Sequence, residues 1–211
     1  LYMSFLGTVI PPAAVWLVLR RLTDELSAMA AHDPLTQLLN RRGLLNGLEQ
    51  HFAASSAAPA HVLIVDIDHF KRINDNYGHK FGDMVLCHVA EAIQKSTRKS
   101  DLKCRLGGEE FLIVSLGLEA AEAMGLAERI RAAIAQIEIP GVSMYGPIRC
   151  TATLGVSAAF MGVQAFDHQL ALADAALYRG KKSGRNCVQW AGPEDASGDK
   201  PGDQAGTTLT V

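Results

Sequence analysis

Residues 105–111 read RLGGEEF, in which two carboxylates, Glu109 and Glu110, directly follow a pair of glycines. A glycine pair between short apolar runs predicts the turn of a β-hairpin, because glycine adopts turn conformations that other residues avoid. Adjacent carboxylates on a tight turn repel each other. One interpretation is a polar hairpin tip that faces solvent. The other is a bound cation that offsets the repulsion, and other parts of the chain must then supply further ligands.

A second group of carboxylates follows the run HVLIVDI at residues 61–67. This short, β-branched and nearly all-apolar run predicts a strand buried on both faces, and its end carries Asp66 and Asp68. Mg²⁺ binds oxygen ligands, typically one or two carboxylates together with substrate phosphates. Asp66, Glu109 and the main-chain carbonyl of Ile67 are therefore candidate ligands, provided that the two strands are neighbours. The alternative for Asp66 is a carboxylate that only caps the next helix.

The elements that must position these residues alternate between helices and strands. Apolar residues at a helical period predict helices, and short β-branched runs predict strands. The predicted helices are 40–52, 82–97, 119–137 and 167–182, and the predicted strands are 61–67, 102–106, 111–116, 148–160 and 186–190. The hairpin in the middle makes the central sheet mixed. The pattern therefore predicts an α+β, ferredoxin-like fold in which helices flank the sheet.

The composition limits the classes of function. The 211 residues carry 20 Lys plus Arg against 22 Asp plus Glu, a net charge of −2. Without a basic field, the sequence argues against nucleic acid as a partner, and any anion site must be local. The 4 cysteines are far apart with no C-x-x-C pair, which indicates reduced thiols rather than a disulfide framework or a zinc site.

The two ends of the chain differ in composition from the middle. Residues 1–19 contain no charged side chain and stop at Arg20-Arg21, which predicts the end of a transmembrane segment whose basic flank faces the cytoplasm. A signal peptide is the competing interpretation. Residues 20–32 carry a short apolar seam that predicts a helical stalk able to pair with a second copy, although a helix packed on the domain explains it equally well. Residues 33–190 form the predicted domain, and 191–211 the predicted disordered tail.

Four blocks of the sequence, in order, resemble the GGDEF family, the diguanylate cyclases of bacteria. The blocks are DPLTQLLNRRG (33–43), VDIDHFKRINDNYGHKFGD (65–83), RLGGEEF (105–111) and ADAALYRGKKSGRN (173–186). The resemblance covers residues 31–190. It implies a fold like the adenylyl cyclase catalytic core and a reaction that joins two GTP molecules into cyclic di-GMP in a homodimer. It further implies a bacterial inner-membrane protein with its catalytic domain in the cytoplasm.

The resemblance also assigns roles at the strand ends. Asp66, the carbonyl of Ile67 and Glu109 match the family's ligands for two Mg²⁺ or Mn²⁺ ions. Glu109 matches the position proposed to accept the proton of the 3′-hydroxyl, and Glu110 either assists it or faces solvent. Two-metal phosphoryl transfer is the mechanism this implies.

Substrate contacts follow from the same blocks. Guanine offers an N1–H and an amino group side by side, which a carboxylate accepts. The positions that match the family's substrate contacts are Asn74, His79 and Asp83 for the base side, and Lys71, Gly107, Gly108, Lys181 and Arg185 for the phosphates and the close approach of the nucleotide. Taken singly, Asn74 and Asp83 are also explained by helix capping, and the basic residues by a solvated helix end.

The run RKSD at 98–101 matches the family's inhibitory R-x-x-D, which implies that Arg98 and Asp101 bind the product cyclic di-GMP and mediate feedback. An arginine fork suits phosphate or the Hoogsteen edge of guanine. The alternative function is a catalytically inactive domain that acts as a cyclic di-GMP receptor through this pair.

Overall fold

The computed structural model describes residues 14–17, 20, 31–54, 57–139 and 147–192. Most of the predicted membrane segment (1–19) and stalk (20–32), and nearly all of the predicted tail (191–211), lie outside these residues. Among the described residues, no helix is long and apolar enough to cross a membrane.

Five described strands form one mixed sheet in the order β2-β3-β1-β4-β5. The strands are β1 (Ala60–Ile67), β2 (Leu102–Gly107), β3 (Glu110–Leu116), β4 (Ala152–Val156) and β5 (Val188–Trp190). β1 pairs antiparallel with both β3 and β4, and β4 pairs in parallel with β5. Every residue of β1 is buried, as its apolar sequence predicts for a central strand covered on both faces.

Five helices cover the two faces of the sheet. They are α1 (Arg41–Ala53), α2 (Phe70–Tyr77), α3 (His79–Ser96), α4 (Ala120–Ala135) and α5 (Phe166–Lys182). On one face, alternate β1 residues such as Leu63 and Val65 share a core with Val89 of α3 and Ile130 of α4. On the other face, Val62 and Ile64 share a core with residues of α1 and α5. The predicted α+β architecture is confirmed.

Some predicted boundaries were wrong. The helix predicted at 82–97 begins three residues earlier, at His79, and the short helix α2 was not predicted. Gly78 separates the two helices with φ of +85°, a conformation that glycine adopts readily. The strand predicted at 148–160 contains only Ala152–Val156, because its ends make isolated bridges to Ile139 and Ala60 instead of a continuous ladder.

β4 and α5 approach each other closely at Gly155. A Cβ atom at this position would lie 2.0 Å from the carbonyl oxygen of Ala173 and 2.6 Å from the amide nitrogen of Leu177. Both atoms belong to the backbone of α5, so neither can turn aside as a side chain would. Glycine at 155 is therefore a condition for this helix to pack on this strand.

The turn at 33–36 is fastened to the hairpin strand β2. Asp33 Oδ1 accepts hydrogen bonds from the Thr36 amide (2.8 Å) and hydroxyl (2.7 Å), and Asp33 pairs with Arg105 at 3.3 Å. Arg105 in turn donates to the carbonyl oxygen of Gly108 through Nε (3.2 Å) and Nη2 (2.9 Å). Both side chains of the pair are largely buried, so the pair is shielded from solvent.

We predict that Asp33 makes the stability of the domain sensitive to acid. Burial alone would raise the pKa of Asp33, but the bonds from Thr36 and the charge of Arg105 outweigh it, and the net pKa is lowered from 3.8. A lowered pKa in the folded state gives stability that is present above pH 3.8 and is lost as the pH falls through the folded value. Asp33→Asn should cost about 1–3 kcal/mol at pH 7 and less at pH 3, where the carboxyl becomes protonated in the unfolded chain.

Urea unfolding of both proteins at pH 7 and pH 3 measures this difference. The exposed Asp167→Asn serves as a control and should shift stability equally little at both pH values. An Asp33→Asn penalty that is undiminished at pH 3 would contradict the electrostatic explanation.

Candidate functional site

The two carboxylate-bearing strand ends lie side by side. In the ladder between β1 and β3, Asp66 lies directly opposite Glu110, so both side chains project from the same face of the sheet. The amide of Ile67 donates to the carbonyl oxygen of Glu109 at 3.4 Å, which ties the hairpin turn to the end of β1. The condition stated for the predicted cation site, that the strands are neighbours, is met.

Glu110 is the site residue that was left out of the predicted ligands. Its side chain lies on the same face of the sheet as Asp66 because β3 begins at residue 110, so Glu110 and not Glu109 is opposite Asp66 in the ladder. Burial raises the pKa of Glu110, and the negative charge of Asp66 raises it further, against the opposing charge of Lys181. The position of Glu110 opposite Asp66 follows from the strand register, and local sequence alone does not reveal it.

Asp66 is mostly buried and pairs with Lys181, whose Nζ lies 2.8 Å from Asp66 Oδ2. Burial raises the pKa of Asp66, whereas the hydrogen bond and charge of Lys181 lower it, and the charge of Asp68 raises it; the net pKa is raised. One ammonium group therefore does not fully offset the cost of burying this carboxylate beside other acids.

These carboxylates fit a divalent cation. Within the described residues, no three His, Cys, Asp or Glu side chains come close enough to hold a metal by themselves. A pair of carboxylates suits Mg²⁺, which commonly takes its remaining ligands from water and substrate phosphates. Because extra positive charge would relieve the repulsion between Asp66 and Glu110, the raised pKa values of both groups agree with this fit.

The glycine turn leaves open space beside the carboxylates. Gly107 and Gly108 have φ of +148° and +54°, and a Cβ built on either one meets no atom within 4 Å. A side chain at these positions would be conformationally strained but would not collide with the protein. The free space at the turn is thus available to a ligand.

Asn74 and Gly82 form a second part of the site, where α2 packs on α3. Asn74 Oδ1 is buried and has no hydrogen-bond partner among the described residues. A Cβ at Gly82 would lie 1.9 Å from this oxygen, so glycine makes room for the amide. His79 and Asp83 are exposed on the first turns of α3, and Lys71 is exposed in the first turn of α2. A buried acceptor without a partner carries a free-energy cost that a donor on a ligand would remove.

The segment after α5 approaches the same strand end. Arg185 and Asn186 both have positive φ, +67° and +46°. The Asn186 amide donates to Asp68 Oδ2 at 3.0 Å, and the charge of Arg185 lowers the pKa of Asp66. The structure thus brings Lys181 and Arg185 to the strand end that carries Asp66.

The R-x-x-D pair lies in a separate pocket of about 260 Å³, which Arg98 and Asp101 line together with Arg129 of α4. Asp101 is buried, and its oxygens accept from the amides of Arg98 (2.7 Å) and Leu116 (3.4 Å), so it also closes the local turn. Arg129 was not predicted, because it reaches the pocket from a helix distant in sequence and belongs to no local motif. Its guanidinium donates to the Ser96 carbonyl oxygen at 2.9 and 3.1 Å.

Comparison with known proteins relates the chain to one family. The family profile described as diguanylate cyclase, GGDEF domain, matches residues 30–187. The diguanylate cyclase DgcM of Escherichia coli (strain K12) is 40% identical over 173 residues, which are 80% of this chain. The chain spans 40% of the length of DgcM.

Two solved structures share the fold. The coiled coil and GGDEF domain of DgcB from Caulobacter crescentus, in complex with c-di-GMP, is 28% identical with a TM-score of 0.68, and the match covers 85% of this chain and 95% of that one. The active GGEEF domain of a diguanylate cyclase from Vibrio cholerae is 34% identical with a TM-score of 0.64, covering 74% of this chain and 100% of that one.

Proposed function

Because this chain belongs to the GGDEF family of diguanylate cyclase domains, we propose that it condenses two GTP molecules into cyclic di-GMP and releases two pyrophosphates. The observation that carries the proposal is the pairing of Asp66 with Glu110 beside the open glycine turn, with Lys181 on Asp66. Carboxylates at strand ends beside an open turn suit metal-assisted attack on a nucleotide phosphate.

In the proposed reaction, the 3′-hydroxyl of each GTP attacks the α-phosphorus of the other. The new oxygen–phosphorus bond forms as the bond to pyrophosphate breaks, and the hydroxyl proton passes to Glu109, the proposed acceptor. Each chain holds one GTP, so two domains must face each other across a twofold axis, and we propose a homodimer. The GGEEF domain from Vibrio cholerae is described as active, which supports Glu at position 109.

Diguanylate cyclases of this family generally use divalent metal ions. We propose two Mg²⁺ or Mn²⁺ ions per active site, held by Asp66, Glu109 and the carbonyl oxygen of Ile67, with Glu110 as an additional ligand. When bound, such ions lower the pKa of the attacking hydroxyl and offset the charge on the phosphates.

The remaining contacts serve the nucleotide. Lys71, Lys181 and Arg185 are proposed to bind the triphosphate. Because the protein has a net charge of −2, nearby basic residues must offset the negative charge of the phosphates. Lys181 pairs with Asp66 in the structure, and we propose that it turns to a phosphate once cations occupy that carboxylate. The glycines at 107 and 108 let the nucleotide approach the backbone.

Purified protein with GTP and Mg²⁺ tests the function. We expect one cyclic di-GMP and two pyrophosphates for every two GTP consumed, measured by chromatography and a pyrophosphate assay, and no turnover of ATP. Intact GTP at protein concentrations that form a dimer would contradict the cyclase. If labelled cyclic di-GMP still bound, the result would favour the receptor, for which the pocket of Arg98, Asp101 and Arg129 is the supporting observation.

Guanine recognition is proposed for Asn74 and Asp83, with His79 nearby. We predict that Gly82→Ala weakens GTP binding by about 10-fold or more, because the added methyl displaces the Asn74 amide and an unmatched polar contact is costly. The displaced atom ends a movable side chain, so the melting temperature should change little.

Fluorescence titration with a labelled GTP analogue measures this effect. Gly125→Ala lies at the separate pocket of Arg98 and Asp101, where the added methyl meets no atom within 4 Å; it is the matched control and should bind the GTP analogue normally. Normal GTP binding by Gly82→Ala would show that Asn74 does not recognise guanine.

Product inhibition is proposed at the pocket of Arg98, Asp101 and Arg129, and the DgcB structure, which is in complex with c-di-GMP, supports product binding by such domains. We predict that Arg98→Ala or Arg129→Ala raises the cyclic di-GMP concentration for half-inhibition by about 10-fold or more, since charge-assisted bonds contribute strongly. The exposed Lys99→Ala is the control. Unchanged inhibition in both arginine variants would exclude this pocket.

Cellular context is also proposed. The apolar residues 1–19 and the basic pair after them support attachment to a bacterial inner membrane, with the catalytic domain in the cytoplasm, where GTP is available.

A further inference from the structure

Asp68 lies two residues beyond the proposed metal ligand Asp66, yet its carboxylate is engaged differently. It is buried, with 5% of its surface exposed. Oδ1 accepts from the Thr153 hydroxyl at 2.6 Å, and Oδ2 accepts from the Thr151 hydroxyl at 2.7 Å and from the Asn186 amide at 3.0 Å. Three donors from two other segments therefore satisfy this carboxylate without a cation.

Asn186 is held at two points. Its amide also lies 3.1 Å from the Thr153 hydroxyl oxygen. Its side-chain oxygen accepts from Arg131 Nη1 at 2.6 Å, and Arg131 is itself fixed on α4 by Glu128 through bonds of 2.6 and 2.9 Å.

The backbone at this point needs such support. Arg185 and Asn186 are consecutive non-glycine residues with positive φ, a conformation that costs free energy for residues with a Cβ. The Arg185 amide donates to the Gly180 carbonyl oxygen at 3.0 Å. The Asn186 amide donates to Asp68 and also lies on the Thr153 hydroxyl, which Asp68 itself holds. We expect loss of the Asp68 carboxylate to weaken both of these supports and thereby to let the Arg185 side chain move.

We propose that Asp68 is a positioning residue, which fixes Asn186 and thereby places Arg185 for the triphosphate of the nucleotide. Arg131 supports the same residue from the other side. This inference rests on the proposed function. It assigns Asp68 a role in nucleotide binding through the chain and not through a metal ion.

The test compares two ligands that differ in their phosphates. The dissociation constants of guanosine α,β-methylene triphosphate, which the enzyme cannot cleave at the α–β bond, and of GMP are measured by calorimetry with Mg²⁺. We expect Asp68→Asn to weaken binding of the triphosphate analogue by about 10-fold and binding of GMP by less than about 2-fold. The difference arises because only the triphosphate reaches Arg185. Arg131→Met should give a smaller change in the same direction, and the surface Lys95→Met, at the end of α3, should give none.

A double variant adds a second criterion. If Asp68 acts through Arg185, adding Asp68→Asn to an Arg185→Met protein should weaken binding of the triphosphate analogue by less than about 2-fold more. Additive losses would overturn the proposal. So would equal losses for both ligands, or an increased Mg²⁺ requirement as the only effect, which would make Asp68 a metal ligand.

Thr151→Val keeps the side-chain shape and removes one hydroxyl donor to Asp68, so it provides the measurement even when Asp68→Asn fails to fold. It should weaken the triphosphate by about 3-fold and leave GMP binding unchanged. Wild-type protein that binds neither ligand would refute the proposed function itself. Wild-type binding with unaffected variants would refute only the role of Asp68.

Discussion

Asp66→Asn is expected to lower the rate of cyclic di-GMP formation by about 10³-fold or more. The substitution keeps the shape of the side chain and removes the charge that is proposed to hold the cations. A loss of 10³-fold corresponds to about 4 kcal/mol of transition-state stabilisation, a reasonable amount for charge stabilisation by a metal ion. Pyrophosphate release at saturating GTP and Mg²⁺ measures the effect.

The fold should tolerate this change. Asp66 is buried among acids, and its pKa is raised mainly by that burial, so neutralising it removes a cost. Lys181 loses its partner, but a third of its side chain is exposed and its ammonium can reach water. Unfolding midpoints should therefore lie close to wild type. The surface variant Glu91→Gln, on α3, should retain full activity, and an Asp66→Asn protein with more than a tenth of wild-type activity would refute the proposed metal site.

Gly155→Ala is expected to destabilise the domain by about 4 kcal/mol or more. The added Cβ would lie 2.0 Å from the carbonyl oxygen of Ala173, a distance that only a shift of β4 or α5 can relieve. Because the clash is with backbone atoms and the shift disturbs packing on both sides, the cost should exceed the usual overpacking range of about 1–3 kcal/mol. Urea unfolding measures it.

Gly125→Ala is the matched control for this prediction. Gly125 lies inside α4, and a Cβ there meets no atom within 4 Å. Alanine in a helix interior is favoured over glycine by about 0.5–1 kcal/mol, so the same chemical change should stabilise the domain. Similar effects of the two variants would contradict the close approach of β4 and α5.

The sequence predicted the fold better than its boundaries. The apolar run at 61–67 and the glycine pair at 107–108 define the central strand and the hairpin through local preferences. Helix α2 was missed because it is only eight residues long, although Phe70, Ile73 and Tyr77 follow a helical spacing. Its packing against α3 provides the stability that its own sequence does not.

The sequence predicted many residues of the site but not which of them pair with each other. Motif positions identified Asp66, Lys181 and Arg185, but local sequence does not reveal that Lys181 pairs with Asp66, because they are 115 positions apart and meet only in the folded sheet. The place of Glu110 opposite Asp66 likewise follows from the strand register, which local sequence does not reveal. Arg129 reaches the pocket of Arg98 and Asp101 only because of how α4 packs. Asp68 meets Asn186 only because of the course of the chain after α5.

The position of β1 in the middle of the sheet has a consequence for amide exchange. Asp66 is paired on one side with Glu110 and on the other with Thr153, so its backbone should exchange hydrogen for deuterium only in the slowest, near-global openings. The segment around Arg185 and Asn186 lies outside the sheet and is held largely by side-chain contacts, so we expect its amides to exchange sooner. The proposed metal site would then lie on the element that opens last, and the proposed phosphate contacts on one that opens at lower free energy.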